Sequence, residues 1–374
     1  MNWSRFLAIL IKEFRQIRRD RLTFAMMVAV PIMQLILFGY AINTDPRNLP
    51  VAVVIADHSE FSRSFLSGLE NSGYFRITGQ ARSEADANRL LAEGRVQFVL
   101  VIPPDFSRRM IRGEHPAILL AADATDPAAS GNALAAVDRI SRQTMSRDLT
   151  GALAHLQTTD LPFEVRVQRR YNPEALSRYN IVPGLIGVIL TMTMVMMTSL
   201  AMTRERERGT MENLLATPAL PVEVMVGKIA PYILIGYVQV IVILAAARLL
   251  FDVPMVGSLV LLSMALVLFM AANLAVGFTF STIARNQLQA MQLTFFFFLP
   301  SLLLSGFMFP FRGMPVWAQM FGEILPLTHF LRIVRGILLK GNTFAAIVPD
   351  LWPIAVFMLA AGIIALGRYR RTLD

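Results

Sequence analysis

The sequence predicts an α-helical polytopic membrane protein with six transmembrane helices and an inserted extracytoplasmic α/β domain. Of its 374 residues, 55% are hydrophobic and only 16% are charged, which is too apolar for an ordinary soluble protein. Long apolar runs recur at lengths that suit a bilayer. Residues 43–180 interrupt these runs with the composition of a soluble domain.

The first 21 residues have the pattern of a basic amphipathic helix. Apolar residues recur at spacings of three and four, and Lys12, Arg15 and Arg18 lie between them. Such a helix lies in the membrane interface. A secretory signal peptide is the alternative, but the following apolar stretch is too long and lacks a small-residue cleavage site.

Six apolar runs predict the membrane spans. The first run gives about 31 Å of helix, enough to cross the hydrocarbon core. The predicted spans are residues 22–42, 181–202, 230–250, 259–281, 288–309 and 349–367.

Strand and helix patterns alternate within residues 43–180. Short apolar runs predict strands at 51–56, 96–102 and 117–122, and an alternating pattern predicts a strand at 163–167. Helical composition predicts helices at 83–93, 105–112 and 128–157. This alternation indicates a small α/β domain between the first two spans.

The positions of basic residues predict the orientation. If both termini are cytoplasmic, the cytoplasmic pieces hold fourteen Lys or Arg residues, including those of the 203–229 loop and the 368–374 tail. The outer connections hold four when the α/β domain is set aside. This bias follows the positive-inside rule and places that domain outside the cytoplasm. We read the formal net charge of +9 as a membrane signature and expect no nucleic-acid partner.

Residues 204–218 form a charged stretch followed by a short amphipathic segment. Thr210 suits a helix N-cap, Glu212 lies in the first turn, and Pro218 stops the helix. The apolar face consists of Met211, Leu214 and Leu215. A helix this short needs a surface to dock on. The alternative is a solvated loop whose charges only fix the topology.

The same stretch resembles the cytoplasmic loop of the ABC-2 family of ABC transporter permeases, which reads R-E-x-E-x-G-T-x-E-x-L-x-x-T-P. In that family the loop forms a coupling helix that sits in a groove of a separate ATPase subunit. The resemblance implies this role for Glu205, Glu207, Arg208, Gly209, Thr210, Glu212, Leu214, Leu215 and Pro218.

Residues 310–348 form neither a clean span nor a hydrophilic loop. Prolines divide an amphipathic stretch, which suits short helices that re-enter the outer membrane face. The pattern resembles the ABC-2 sequence L-S-G…P…M-P…P-x-x-H…R-G, which implies re-entrant helices at the outer mouth of the pathway. The residues concerned are Ser305, Gly306, Pro310, Pro315, Pro326, His329, Arg335 and Gly336. The large inserted domain is typical of the bacterial drug-efflux-like subgroup.

The resemblance implies a permease subunit that is not itself an enzyme. No phosphate-loop motif occurs, so ATP and Mg would be bound by the partner ATPase, with no cofactor in this chain. The expected partners are that cytoplasmic ATPase, a second permease copy or paralogue, and the lipid bilayer. A periplasmic adaptor is left open. The expected location is the bacterial inner membrane.

No catalytic or metal site is predicted. Cysteine is absent and the four histidines occur singly. Asp57, His58 and Ser59 are adjacent, so their side chains point different ways and do not predict a catalytic triad.

Two other functional classes fit the sequence less well. A receptor with a periplasmic ligand-binding domain would usually carry a larger cytoplasmic output domain. A secondary transporter would favour carboxylates buried within the spans, and we expect none there. His329 and Arg332 suit either a functional role or structural pairing with Glu323, whereas Asn273 predicts a bond between helices. Lipophilic drugs, lipids and polymer precursors all remain open as cargo.

Overall fold

The computed structural model describes residues 46–150, 161–207 and 221–368. The predicted interfacial helix (1–21) and first span (22–42) lie outside these residues. Within them, the chain forms a mixed sheet covered by helices and a set of long apolar helices.

The described residues between 49 and 170 form five strands and four helices, which we call the sheet domain. The strands are Leu49–Ile55 (β1), Phe75–Gln80 (β2), Phe98–Ile102 (β3), Ala117–Asp123 (β4) and Glu164–Arg170 (β5). The helices are Glu60–Asn71 (α1), Glu84–Ala92 (α2), Phe106–Ile111 (α3) and Pro127–Asp148 (α4).

The strand order is β2-β1-β3-β4-β5. Strand β1 pairs in parallel with β2 and β3, β3 and β4 are antiparallel, and β4 and β5 are parallel. Strands β1 and β3 are almost entirely apolar, as expected for strands covered on both faces. Helices α1, α3 and α4 contribute to the main core, and α2 packs on a smaller second cluster.

The sequence predicted the four strands β1, β3, β4 and β5 and the helices α2 and α3 within a few residues. The helix predicted to continue to residue 157 instead ends at Asp148. Helix α1 and strand β2 were not predicted. The β2 residues after Phe75 are largely exposed, so this edge strand lacks a continuous apolar run.

Five described helices are long and apolar enough to cross a membrane, so the protein is polytopic. They are Ser177–Glu207 (α5), Pro221–Phe251 (α6), Leu259–Ile283 (α7), Gln287–Leu304 (α8) and Phe344–Arg368 (α11). Helix α7 packs against α5 and α11.

Short helices connect α8 to α11. A 3₁₀ turn spans Phe311–Gly313, followed by Val316–Ile324 (α9), Pro326–Arg335 (α10) and a π turn at Gly336–Lys340. Helix α10 is largely buried, and Phe330 stacks on Phe269 of α7 with ring centroids 4.1 Å apart. This stacking holds the short helices against the long ones.

Candidate functional site

The predicted coupling stretch is described only at its start. Glu205 lies half-buried and Glu207 lies exposed at the end of α5. The remaining predicted coupling residues lie outside the described parts of the chain: Arg208, Gly209, Thr210, Glu212, Leu214, Leu215 and Pro218.

Glu207 joins the end of α5 to the start of α8. The backbone N–H of Gln287 donates to Glu207 Oε1 at 2.8 Å, and Gln287 Nε2 donates to Oε2 at 2.5 Å. These hydrogen bonds hold the pKa of Glu207 below its usual range. A carboxylate at this position also complements the positive N-terminal end of α8. A movement of the chain beyond Glu207 would therefore reach α8 as well as α5.

A second contact between α5 and α8 lies farther along both helices. The hydroxyls of Ser199 and Thr294 are 3.1 Å apart and fully buried. Such a bond in an apolar setting fixes the register of two packed helices. Hydrogen bonds therefore join the end of α5 to the start of α8, and join the two helices again within the apolar region.

The predicted outer residues occupy turns and helix starts. Ser305 is the C-cap of α8, and Gly306 follows it with a φ of +83°, a left-handed conformation that favours glycine. The remaining positions in this set that begin helical turns are Pro310, Pro315, Pro326 and Gly336. Proline suits such starts because it has no N–H to leave unsatisfied.

His329 is the most buried member of a polar cluster, and its side chain is 6% exposed. Its Nδ1 is 2.8 Å from Asp350 Oδ1, and its Nε2 is 2.8 Å from the Glu323 carbonyl oxygen. A carbonyl oxygen only accepts hydrogen bonds, so Nε2 carries a proton. The other ring nitrogen, Nδ1, forms its hydrogen bond with the Asp350 carboxylate.

Arg332 completes the cluster. Its Nη2 donates to Glu323 Oε1 at 2.6 Å, and its Nη1 lies 3.4 Å from Asp350 Oδ1. The pairing of Arg332 with Glu323 was one of the two predicted roles. The further partner, Asp350, was missed, and the expectation that no predicted span holds a buried carboxylate is wrong there. Asp350 is the second residue of the predicted 349–367 span, and its side chain is 21% exposed.

Arg335 ties three segments together. Its Nη2 donates to Asn180 Oδ1 at 2.6 Å at the start of α5, and its Nη1 donates to the Gly306 carbonyl at 3.2 Å. Asn180 was not among the predicted residues. Only its position just before an apolar run could have drawn attention to it.

Two basic side chains join these outer helices to the sheet domain. Lys340 Nζ contacts Asp123 Oδ2 at 2.5 Å, and both side chains are nearly buried. Arg312 Nη2 donates to the Gly94 carbonyl at 2.7 Å. Sequence reasoning missed both contacts, because they join residues more than 200 positions apart.

Among the described residues, Asn273 makes no hydrogen bond to another helix. Asn273 Nδ2 instead donates to the Phe269 carbonyl within α7 at 2.9 Å. Its Oδ1 is buried and has no hydrogen-bond partner among the described residues.

Comparison with known proteins identifies the family. A profile of the ABC-2 family transporter proteins matches residues 21–366. The probable multidrug ABC transporter permease YbhS of Escherichia coli K12 is 31% identical over 383 aligned residues, which cover 100% of this chain and 99% of that protein. YbhR of the same strain, also described as a probable multidrug ABC transporter permease, is 27% identical with 99% of each chain covered. The inner membrane transport permease YhhJ of that strain is 27% identical, with 97% and 96% covered.

No solved structure matches this chain. The family profile spans nearly the whole sequence, including the five described long helices and the sheet domain. The chain therefore belongs to the ABC-2 family of transporter proteins.

Proposed function

We propose that this chain is the membrane-spanning permease subunit of a bacterial ABC exporter that resides in the inner membrane. It works as a dimer, with a second copy or a paralogue, on a separate cytoplasmic ATPase that binds ATP and Mg. The cargo is a hydrophobic or amphipathic molecule such as a drug or a lipid. Family membership and the permease names of the three relatives support this role.

The proposed topology has six spans with both termini in the cytoplasm. The sheet domain lies outside the cytoplasm, and residues 310–348 re-enter the outer membrane face. The basic residues at the two ends of the chain and in the 203–229 loop support this orientation.

In this proposal, residues 204–218 transmit the movement of the ATPase to the membrane helices. The observation that carries this proposal is the pair of hydrogen bonds from Gln287 to Glu207, which ties the start of the charged loop to α8. Closure of the ATPase pair would push on the loop, and α5 and α8 would move together. The buried Ser199 to Thr294 contact supports joint movement of these helices.

The decisive experiment replaces Leu214 and Leu215 together with Asp and measures co-purification with the ATPase and export. Unpaired charges in a docking groove cost several kcal/mol, which is enough to abolish a micromolar association. We expect the variant to reach the membrane at the normal level but to lose ATPase binding and export.

The matched control replaces both leucines with Met, which keeps an apolar face of similar volume and should preserve binding. Retention of ATPase binding and export by the Asp variant would favour the solvated-loop interpretation of residues 204–218.

A further inference from the structure

A cleft of about 610 Å³ lies between the sheet domain and the outer short helices. Its sheet-domain wall includes the Gly94 turn and the start of α4 at Asp126. Its opposite wall includes α10 and the first turns of α11. Two basic side chains join the walls: Lys340 contacts Asp123, and Arg312 donates to the Gly94 carbonyl.

Four basic side chains line this cleft: Arg312, Arg332, Arg335 and Lys340. Two of them are neutralised by carboxylates, since Arg332 pairs with Glu323 and Lys340 pairs with Asp123. The other two are Arg312 and Arg335, and within the described parts of the chain neither lies within ion-pair distance of a carboxylate.

All the hydrogen bonds that Arg312 and Arg335 make to described residues go to neutral acceptors. Arg312 donates to backbone carbonyls of the Gly94 turn, and Arg335 donates to Asn180 and to the Gly306 carbonyl. A guanidinium has five N–H donors, so each retains donors for a further acceptor. Two half-buried guanidiniums beside one cleft favour a ligand that carries negative charge.

The acidic side chains that line the cleft contact other cations, with the exception of Asp126. Glu323 and Asp350 contact Arg332, Asp123 contacts Lys340, and Glu93 pairs with Arg95.

Asp126 is the remaining carboxylate. Its Oδ1 accepts hydrogen bonds from the backbone N–H groups of Ala128 and Ala129 at the start of α4. Burial raises the pKa of Asp126, although Arg335 acts in the opposite direction.

The cleft also has an apolar side that leads toward lipid. Phe311, Ile347 and Trp352 line it, and Trp352 is 60% exposed. Farther along α11, Val356 and Leu359 are exposed as well, as expected of a helix that faces acyl chains. A ligand with a charged head in the cleft could therefore extend its apolar part along α11.

We propose that this cleft binds the anionic headgroup, phosphate or carboxylate, of an amphiphile whose apolar chain lies along α11. Arg312 and Arg335 hold the headgroup, and Trp352 contacts the start of the chain. The inference does not depend on the proposed function, because binding can be measured without an ATPase or transport.

Calorimetric titration of the full chain in dodecyl maltoside tests the proposal with three probes. These are dihexanoyl phosphatidic acid, dihexanoyl phosphatidylcholine and inorganic phosphate. We expect phosphatidic acid to bind about tenfold or more tightly than either other probe, because only it combines uncompensated negative charge with an apolar chain.

Variants then locate the site. Arg312→Gln and Arg335→Gln should each weaken phosphatidic acid binding about tenfold, the loss of one charge-assisted hydrogen bond. Arg166→Gln is the matched control, since Arg166 is an exposed arginine of β5 outside the cleft, and it should change nothing.

The Asp126→Asn variant distinguishes an effect on binding from a loss of folding. Asparagine keeps the helix cap but removes the negative charge, so binding should become severalfold tighter, a gain that unfolding cannot produce. Equal binding of phosphatidic acid and phosphatidylcholine, or unchanged binding in both arginine variants, would overturn the proposal. Equally tight binding of inorganic phosphate would overturn the assignment to an amphiphile.

Discussion

Asp57 shows how one buried carboxylate organises the starts of two helices. Its Oδ1 accepts from the Ser59 backbone N–H at 2.9 Å, beside the N-cap of α1. Its Oδ2 accepts from the backbone N–H and the hydroxyl of Ser107 in the first turn of α3, each at 2.9 Å. Burial opposes ionisation of Asp57, but the hydrogen bonds from Ser59 and Ser107 outweigh it and hold its pKa below the usual range. The role of Asp57 in the Asp57-His58-Ser59 run is therefore structural.

Replacing Asp57 with Ala should lower the free energy of unfolding of the sheet domain by about 2–4 kcal/mol at pH 7, because buried N–H groups at two helix starts lose a charged acceptor. The native pKa is lowered, so the ionised form contributes stability above the unfolded pKa of about 4, and this contribution is lost as the pH falls toward the native value.

Pulse proteolysis of the full chain in urea measures the effect. The difference between the wild-type protein and the Asp57→Ala variant should shrink as the pH falls below about 4. The Asp57→Asn variant is the control and should be intermediate, because it keeps one acceptor oxygen. A difference that did not change with pH would contradict the assigned role of the charge.

At the scale of helices and strands, the sequence predicted the features that depend on the local sequence alone. Continuous apolar runs predicted the long helices, because a hydrocarbon surrounding demands apolar side chains along a whole element. Prolines predicted the breaks around α9 and α10. The partners of Arg335 and Lys340 could not be predicted, since they depend on how distant segments pack. Asp350 was overlooked because it begins an otherwise apolar run.

Close packing of α5 on α7 depends on Gly277. A Cβ at this position would lie 2.7 Å from the Val195 carbonyl oxygen of α5, so the helices would have to separate. Gly277→Ala should therefore destabilise the detergent-solubilised protein by about 1–3 kcal/mol through overpacking. Thermal unfolding followed by intrinsic fluorescence provides the measurement.

Gly362 of α11 is the matched control, because a Cβ there would meet nothing within 4 Å. Gly362→Ala should leave the melting temperature unchanged or raise it slightly, since alanine favours helix more than glycine. Equal melting temperatures for the two alanine variants would refute the close-packing argument.

At the scale of the whole molecule, the sheet domain and the outer short helices are joined by polar contacts. Lys340 pairs with Asp123 at the end of β4, and its Nζ lies 5.3 Å from the centre of the Tyr171 ring. Arg312 reaches the Gly94 turn before β3. The sheet domain is thus held at the end of the long helices where α9 and α10 lie. Whichever side of the membrane holds α10 must also hold the sheet domain.

This constraint makes a single labelling experiment decisive for the orientation. The chain contains no cysteine, so single cysteines can be introduced without a background. Ser67 of α1 and Ala135 of α4 are exposed positions on the sheet domain, whereas Arg285 is exposed between α7 and α8 at the opposite end of the long helices.

We expect an impermeant maleimide to modify Ser67→Cys and Ala135→Cys in intact spheroplasts, and Arg285→Cys only after lysis, because the basic residues favour a cytoplasmic 284–286 connection. The reverse pattern would place the sheet domain in the cytoplasm, where it would stand on the same side as the ATPase, and the proposed coupling through residues 204–218 would have to be abandoned.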